Sequence, residues 1–392
     1  MPLRTRTATS GVGTCCYILQ TKQFESYQGE KLKDAPGNLK PIGTGPYLVD
    51  TFKPGDLVTY KMNDQYRDPN KPYFKTVTFK GGGAAPSVAR ALFQTGNVDY
   101  AWNLQVEAGA LKAMVDTSTK GKLLTTYGSN VERIMINFAD PSPSQGGERG
   151  EPGTRHPFFN GPDGKTVRTA LALATDRRTV AEQLYGGAQI SGKPGCNIVT
   201  GVPAYESKNT ASFCDKFDVS GAAKMLDDAG WKLGTDNVRV KGSIRLSIVY
   251  QTTINTVRQK TQDVMKKNWE VRTMFWADVQ MFTDNSTPDF TSYLSGWTSK
   301  RSASKTNGWS APNYSRYQNP QFDAIVDSLR SETDPVKRAD LVIQANDILI
   351  LDIATIPLVS RPQVSSGIAN SLKNVVPTGW DSEMYSVADW SR

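Results

Sequence analysis

The sequence of 392 residues is poor in the residues that most often carry out chemistry. It holds one histidine and four cysteines, so a Ser-His-Asp or Cys-His catalytic group, or a histidine-based zinc site, would have to use His156. No GxSxG or HExxH motif surrounds His156, and its Pro- and Gly-rich setting predicts a solvent-exposed side chain. The sequence therefore predicts neither a catalytic residue nor a metal site, and no cofactor.

Long apolar runs are also missing. No stretch reaches the ~18 residues that a membrane-spanning helix needs, and the first twenty residues lack the apolar segment of a recognisable secretory signal. Charged residues make up only 21% of the chain, with 46 Lys and Arg against 38 Asp and Glu, for a net charge of +8. Because the basic residues are spread along the chain, nucleic acid is not an expected partner. The length predicts two or three compact units.

The cysteines fall into two pairs. Cys15 and Cys16 are adjacent, while Cys196 and Cys214 are separated by a stretch typical of a loop. A disulfide between Cys196 and Cys214 would add about 3 kcal/mol in the chain-entropy model and would indicate an oxidising compartment. Two unrelated buried thiols are the alternative.

Local patterns predict an α/β chain. Residues 41–62 are predicted to form a hairpin, because Lys53-Pro54-Gly55-Asp56 between its two strands fits a type II turn. The order strand, helix, strand over residues 74–102 predicts a right-handed crossover in a parallel sheet.

Several helices are predicted from their first residues. The expected N-caps are Asp176, Ser220, Asn319 and Asp334. Each of the last two precedes a proline at the first helical position, which is a favoured site for proline.

Aromatic rings and hydrogen-bonding side chains crowd together between residues 278 and 317. Rings give a small-molecule cleft contact area at low entropic cost. The residues that we predict to contact a ligand are Asp284, Asp289, Tyr293, Trp297, Trp309 and Asn313, together with Trp102 and Asn103 at the end of an earlier predicted strand. Packing of Trp297 and Trp309 under a long loop is the alternative to ligand contact. A hydrolase that uses Asp284 and Asp289 is a further, less favoured alternative.

Five stretches of sequence carry a specific resemblance. They are PIGTGPYLVDTFKPGDLVTYKMNDQYRDPNKPYFKTVTFKGGG, ALFQTGNVDYAWNLQ, VRTALALATDRRTVAEQLYGG, AAKMLDDAGW, and NPQFDAIVDSLRSETDPVKRADLVIQANDIL followed by ATIPLV. In order and spacing, over about residues 25 to 392, they resemble the extracytoplasmic solute-binding proteins of peptide/nickel-type ABC importers, the oligopeptide- and dipeptide-binding group.

The resemblance implies an α/β, two-lobed fold like that of the periplasmic binding proteins, type II, of the peptide-binding class. It implies a chain truncated at the N-terminus, so that the first lobe is incomplete. The expected division is an N-terminal segment over 1–37, a first lobe over 38–130, a second lobe over 131–355 and a return to the first lobe over 356–392.

The resemblance also implies function. It predicts a monomeric receptor in the periplasm or cell envelope that captures a peptide, opine, oligosaccharide or metal chelate between its lobes and delivers it to ABC permease subunits. It implies no catalysis, fits a Cys196–Cys214 disulfide, and assigns acidic and aromatic ligand contacts to Asp284, Asp289, Trp297 and Trp309. A truncated relative that no longer binds a solute is the alternative.

Overall fold

The computed structural model describes residues 20–140, 151, 155–156, 159–161, 163–186, 193–269, 271–272, 279–285, 290–379 and 384–392. The chain forms two compact units. Unit 1 comprises the described residues up to Leu104, Leu111–Thr126 and Val364–Arg392, and unit 2 comprises Gln105–Ala110 and Tyr127–Gln363. The predicted lobe boundaries near residues 130 and 356 remain predictions.

The regular elements alternate along the chain. The strands are β1 (Tyr47–Lys53), β2 (Leu57–Met62), β3 (Thr76–Lys80), β4 (Tyr100–Ala101), β5 (Gly121–Ile136), β6 (Lys193–Pro194), β7 (Lys232–Leu233), β8 (Arg239–Lys241), β9 (Ile244–Arg245), β10 (Ile248–Gln251), β11 (Val271–Arg272), β12 (Val279–Asn285) and β13 (Thr355–Ala369). The helices are α1 (Thr21–Phe24), α2 (Ala85–Arg90), α3 (Ala108–Asp116), α4 (Gly164–Leu173), α5 (Arg177–Thr179), α6 (Ala211–Cys214), α7 (Val219–Asp228), α8 (Thr256–Asn268), α9 (Phe290–Ser295), α10 (Pro320–Leu329) and α11 (Pro335–Leu351). Two π-helical turns, Ala91–Thr95 and Val180–Leu184, continue α2 and α5. No helix in the described ranges combines the length and the apolar character needed to cross a bilayer.

Unit 1 contains the predicted hairpin. β1 and β2 pair antiparallel, the amide of Asp56 donates to the carbonyl of Lys53 at 3.1 Å, and Gly55 has a φ of +80°. That φ is the left-handed conformation that the third residue of a type II turn requires and that glycine adopts without steric cost. The hairpin and its turn are therefore confirmed.

The predicted parallel crossover over residues 74–102 is wrong. β3 pairs antiparallel with β2, in the sheet β1-β2-β3. β4 belongs to another sheet, where its residue Ala101 pairs with Gly367 of β13. The alternation of apolar residues located the strands, but it carried no information on their partners, and a neighbouring hairpin strand satisfied the backbone of β3.

Unit 2 is built around a mixed sheet in the order β11-β10-β12-β5-β13, with β6 added on β13. β10 runs parallel to β11 and β12, whereas β12 runs antiparallel to β5. Helix α8 connects the parallel neighbours β10 and β11, as in a crossover unit. Apolar side chains of the sheet and of α4, α8, α10 and α11 form one buried cluster.

Three of the four predicted N-caps are confirmed. Asp176, Asn319 and Asp334 each accept hydrogen bonds from backbone amides of the first turn that follows. Pro320 and Pro335 occupy the first helical positions, where their missing N–H groups leave no hydrogen bond unmade.

The fourth cap was assigned to the wrong residue. Asp218, not Ser220, caps α7, and its Oδ1 accepts from the amide of Gly221 at 2.8 Å. Ser220 lies in the first turn and donates its hydroxyl to the same carboxylate at 2.7 Å. A carboxylate two residues earlier reaches the third helical amide, so it displaced the weaker hydroxyl acceptor.

The predicted exposure of His156 is also wrong, since the residue is 1% exposed. Its ring stacks on that of Phe159 at 4.6 Å, and its Nδ1 accepts from the amide of Phe159 at 3.4 Å. Its own amide donates to the carbonyl of Phe138 at 3.0 Å. The Pro- and Gly-rich composition around His156 predicted exposure. The side chain is buried instead, because it stacks on Phe159 and makes a hydrogen bond to the backbone.

Candidate functional site

The predicted ligand residues are divided between the two units. Trp102 and Asn103 follow β4 in unit 1, where the Trp102 side chain is 67% exposed and Asn103 has a φ of +50°. The other six belong to the sequence of unit 2. Neither unit therefore contains all eight predicted ligand residues.

In unit 2, Asp284 lies on β12, with its backbone paired to that of Val131 on β5. Tyr293 is half-buried on α9. Asp289 lies outside the described residues. The roles of all three as ligand contacts remain predictions.

Trp297 and Asn313 are buried and engaged with other groups of unit 2. The guanidinium of Arg133 lies over the Trp297 ring, 4.4 Å from its centroid, which is a cation–π geometry. The amide nitrogen of Asn313 donates to the carbonyl oxygens of Trp297 at 3.1 Å and Tyr317 at 2.9 Å, and its oxygen accepts from the Ser315 hydroxyl at 2.9 Å. Asn313 thereby ties together the two ends of the loop between α9 and α10.

Trp309 occupies the outer part of the same loop. It is 39% exposed, has a φ of +62°, and stands 5.5 Å from the guanidinium of Arg316. Of the two tryptophans predicted to contact a ligand here, Trp297 is buried and Trp309 is open to solvent. Its role in ligand contact remains a prediction.

A buried ionic cluster lies on β5 at Glu132, the residue after Val131, which pairs with Asp284. Glu132 is 0% exposed. Arg258 donates to both of its carboxylate oxygens, from Nε and from Nη2 at 3.2 Å each, and Nε of Arg361 stands 3.0 Å from Oε1. A carboxylate is buried at such a site only where guanidinium groups offset the loss of its hydration. We call Glu132, Arg258 and Arg361 the Glu132 cluster.

Local structure explains how the two arginines reach Glu132. Asn255 caps α8 by accepting from the amide of Arg258 at 3.1 Å, which fixes the first helical turn beside the end of β10. Arg258 also donates to the Thr253 hydroxyl at 3.2 Å. Arg361 comes from β13, the neighbour of β5 in the sheet. The side chains of Arg258 and Arg361 are 14% and 12% exposed, so solvent reaches the edge of the cluster.

Three hydroxyl groups of unit 2 are buried without a hydrogen-bond partner in the described part of the chain: those of Tyr185, Tyr250 and Thr252. Tyr185 directly follows the π-helical turn, a feature often found at functional sites, and Tyr250 lies on β10. A buried hydroxyl that makes no hydrogen bond costs about 1–3 kcal/mol. These hydroxyls are therefore suited to a partner that comes from outside the chain.

The charges of the Glu132 cluster affect the pKa values of Tyr185 and Tyr250. Burial raises the pKa of Tyr185 well above its usual value, the negative charge of Glu132 raises it further, and Arg361 and Arg258 lower it. Burial likewise raises the pKa of Tyr250, which interacts with Glu132 and Arg258. Both phenols keep their protons at neutral pH and can act as hydrogen-bond donors.

A second network of the same residue types lies elsewhere in unit 2. Arg168 donates to the carboxylate of Asp352 at 3.0 Å and to its carbonyl oxygen at 2.8 Å. The Tyr317 hydroxyl donates to Asp352 at 2.9 Å and accepts from Asn319 at 2.9 Å. Burial, with the charge of Asp352, raises the pKa of Tyr317. We call this group the Asp352 network.

Unit 1 carries a cavity of about 540 Å³. It is lined by Asn70, Lys71, Tyr73, Asn374, Val376, Tyr385, Ser386, Ala388 and Asp389. Its charged residues, Lys71 and Asp389, are about half exposed and form an ion pair with each other. A pair that is already matched and hydrated offers a ligand little gain, so we do not assign the solute site to this cavity.

Cys196 and Cys214 are neighbours, and both are thiols in this structure. A hydrogen bond from Cys214 lowers the pKa of Cys196, and the buried Arg177 lowers it further. The same hydrogen bond, together with burial, raises the pKa of Cys214. The predicted disulfide is not formed here, and it remains a prediction.

The residues of the Glu132 cluster were missed in the sequence. One signal was present: Glu132 and Arg133 form a charged pair inside NVERIMI, an otherwise apolar strand. A charge that breaks the pattern of a buried strand marks a position where local and global preferences conflict, and such positions are often functional. In the described residues, no group of three or more His, Cys, Asp or Glu side chains could hold a metal ion.

Comparison with known proteins gives one family and several similar structures. Residues 13–326 match the family described as bacterial extracellular solute-binding proteins, family 5 middle. Protein XP55 of Streptomyces lividans is 25% identical over 334 residues, 80% of this chain and 55% of that protein. The oligopeptide-binding protein AppA of Bacillus subtilis is 25% identical over 311 residues, 75% of this chain and 52% of that protein. The chain thus spans about half the length of the curated relatives it matches.

Two solved structures share the fold over most of the chain. NikZ from Campylobacter jejuni, in complex with Ni(L-His), superposes with a TM-score of 0.73 at 18% identity and covers 95% of this chain and 72% of its own. AppA from Bacillus subtilis, in complex with a nonapeptide, gives a TM-score of 0.72 at 19% identity and covers 95% and 71%. The predicted α/β fold of the peptide-binding class is confirmed by this likeness.

Proposed function

Because the chain belongs to the bacterial extracellular solute-binding proteins of family 5, we propose that it is the solute-binding receptor of an ABC import system. Its solute is a peptide or a similar small molecule. The observation that carries the proposal is the family match, which extends through most of both units. The nonapeptide and the nickel–histidine complex bound by the two similar structures support this class of solute.

The proposal includes the setting in which the receptor works. Units 1 and 2 act as its two lobes, its partners are ABC permease subunits, and it works as a monomer outside the cytoplasm, in the periplasm or cell envelope. The description of the family as extracellular supports this location. The family consists of solute-binding proteins, and accordingly we propose that this chain binds its solute without converting it.

A thermal melt of the purified chain tests the proposal. Pools of short peptides, opine-type conjugates, oligosaccharides and nickel–histidine complexes are added separately. A solute at 100 times its Kd adds about 2.7 kcal/mol to the free energy of unfolding. We expect a cooperative transition that moves to higher temperature with one pool.

The other outcomes identify the alternatives. A cooperative melt that no pool shifts would contradict the proposal and favour a truncated relative without binding activity. Recovery of the bound pool tests for conversion, because cleaved peptide or glycoside would favour a hydrolase. In that case Asp284→Asn should abolish cleavage, and the exposed Asp327→Asn is the matched control.

We also propose that Cys196 and Cys214 form a disulfide in an oxidising compartment. Their thiols already contact each other, so closure needs little rearrangement. The test is the mass of the intact chain, alkylated without reduction, after export into the periplasm. Oxidation to a disulfide removes two hydrogen atoms from the mass and protects both thiols from the reagent, whereas alkylation of both would contradict it.

A further inference from the structure

The two thiols of unit 2 differ in their access to solvent. Cys196 follows β6 and is partly exposed, whereas Cys214 ends α6 and is only 6% exposed. A hydrogen bond joins the two side chains. A reagent from solution can therefore reach the sulfur of Cys196, with the sulfur of Cys214 in contact behind it.

A buried arginine lies beside the pair. Arg177 is 3% exposed, and its Nε donates to the carbonyl of Pro357 at 2.8 Å and its Nη1 to that of Ala172 at 3.2 Å. Its Nη2 is buried and makes no hydrogen bond in the part of the chain that the structure describes. The guanidinium is thus held by neutral carbonyl oxygens, which orient it but do not neutralise its charge.

A buried charge is costly unless an opposite charge lies close to it. Burial lowers the pKa of the Arg177 guanidinium, and the charges that raise it again are those of Cys214 and Cys196. The anion that suits this guanidinium is therefore a thiolate of the pair.

The hydrogen bond between the thiols decides which of them carries that charge. It lowers the pKa of Cys196 and raises the pKa of Cys214. Burial and the carboxylate of Asp215 act against ionisation of Cys196, and Arg177 favours it. A partly exposed cysteine beside a positive charge has the surroundings of a reactive thiol, whereas a buried one is inert.

The segment between the cysteines keeps its shape without a bond between the two sulfurs. Asn197 donates to the carbonyl of Ser207 at 2.9 Å and accepts from the Thr210 hydroxyl at 2.7 Å. The buried Asn346 of α11 donates to the same oxygen of Asn197 at 2.7 Å. Because these hydrogen bonds do not involve the cysteines, the pair can be reduced or oxidised while the fold is kept.

We propose that Cys196 and Cys214 form a thiol–disulfide exchange site, in which Cys196 attacks a low-molecular-weight disulfide and Cys214 resolves the product. This inference goes beyond the proposed function, and its test requires no solute. The disulfide proposed above is the oxidised state of this site. Arg177 is a positioning residue that stabilises the attacking thiolate.

The exchange takes two balanced steps. The Cys196 thiolate attacks one sulfur of the small disulfide, whose S–S bond breaks, and one half leaves as a thiolate that takes up a proton. Cys214 then attacks the sulfur of Cys196, passes its own proton to the second departing thiolate, and closes the bond between the two cysteines. The pair loses two electrons and two protons in all, and the small disulfide gains them as two thiols.

Reaction with dithiodipyridine, a neutral small disulfide whose released halves are counted by absorbance, tests the site. Every sample carries Cys15→Ser and Cys16→Ser, so that the thiols counted are Cys196 and Cys214. The reduced chain should release two halves and keep no adduct. Cys214→Ser should release one half and keep an adduct on Cys196. Cys196→Ser should react at least about tenfold more slowly, because its remaining thiol is buried.

The same samples in urea are the control for folding, since unfolded thiols react at similar rates. Equal rates in the two folded single variants would overturn the proposal. So would an adduct that stays on the chain when both cysteines are present, because Cys214 would then fail to resolve it.

The role of Arg177 is tested by the pH dependence of the first release. Its midpoint should lie below about pH 8.5, the pKa of a free cysteine, and should move upward in Arg177→Gln. Arg178→Gln is the matched control, because the Arg178 side chain is 78% exposed, and it should leave the midpoint unchanged. If Arg177→Gln does not fold, the parent chain decides: a midpoint at or above about 8.5 would contradict the stabilised thiolate and the proposal with it.

Discussion

Unit 2 contains two buried groups of arginine, carboxylate and tyrosine whose hydrogen bonds are completed to different degrees. In the Asp352 network, Tyr317 both donates and accepts, and Arg168 uses its fork on the side chain and carbonyl of Asp352. Around the Glu132 cluster, the ionic contacts are made, while the hydroxyls of Tyr185 and Tyr250 have no partner in the described residues. The same residue types thus serve a purely structural network in one place and a donor-rich site in the other.

The difference follows from what surrounds each carboxylate. Asp352 ends α11, where backbone carbonyls and the neighbouring Asn319 complete the network from within the chain. Glu132 lies in the middle of a strand whose own amides and carbonyls are committed to the sheet. Polar side chains that converge there must form hydrogen bonds with one another or with a molecule from solution.

The largest expected effect comes from Glu132→Gln. Removing the buried charge leaves two guanidinium groups without their carboxylate, and breaking a buried ion pair costs about 3–5 kcal/mol. Urea titration should show a loss of that size. A loss below about 1 kcal/mol would mean that Arg258 and Arg361 are well hydrated, and the comparison of the two networks would fail.

Tyr317→Phe should have the next largest effect. It leaves Asp352 and Asn319 each without one hydrogen bond, at a cost of about 1–3 kcal/mol. The change in denaturation midpoint measures it, and Tyr314→Phe, at a residue that is about half exposed, is the matched control. An unchanged midpoint would show that the Asp352 network contributes no stability through its phenol.

Alkaline pH should destabilise the chain through the tyrosines of both networks. Burial raises their pKa values in the folded chain. In the unfolded chain a phenol titrates near pH 10. Between about pH 10 and the higher pKa of the folded state, therefore, only the folded chain keeps the proton. This stability is fully present below about pH 10 and is lost as the pH rises, by about 1.4 kcal/mol per pH unit for each such group. Unfolding at a series of pH values should show a shallower slope in Tyr250→Phe than in the parent, and an equal slope would contradict the burial of that phenol.

Tyr250→Phe at neutral pH is expected to cause no loss of stability. Its hydroxyl is buried without a hydrogen bond in the described chain, at a cost of about 1–3 kcal/mol, so its removal should raise the free energy of unfolding. Its contrast with Tyr317→Phe, measured in the same titration, sharpens the comparison most directly. A loss equal to that of Tyr317→Phe would remove the distinction.

Short-range features of the fold could be predicted from the sequence. The turn at Pro54-Gly55 and the caps at Asn319 and Asp334 depend on a few adjacent residues, and all are confirmed. Pairing of strands could not be predicted in the same way, since β3 and β4 joined different sheets and neither partner was visible in the local pattern. The overall class followed from the resemblance of five stretches, not from the periodicity of any one.

The candidate site was harder to predict because it is made of distant residues. Glu132, Arg258 and Arg361 are far apart in sequence and meet only when β5, α8 and β13 pack. The density of aromatic and hydrogen-bonding residues led instead to Trp297 and Asn313, whose contacts within unit 2 are already extensive. The charged pair at 132 and 133 inside an apolar strand was the one local clue.

The contact between Arg133 and Trp297 gives the protein an optical probe. The indole ring is 6% exposed and has a guanidinium 4.4 Å from its centre, next in sequence to Glu132. Indole emission depends on the charge and polarity around the ring, so any shift of β5 should alter its colour or intensity. With eight tryptophans in the chain, the difference spectrum between the parent and Trp297→Phe isolates this signal, and occupancy of unit 2 could then be followed without a label.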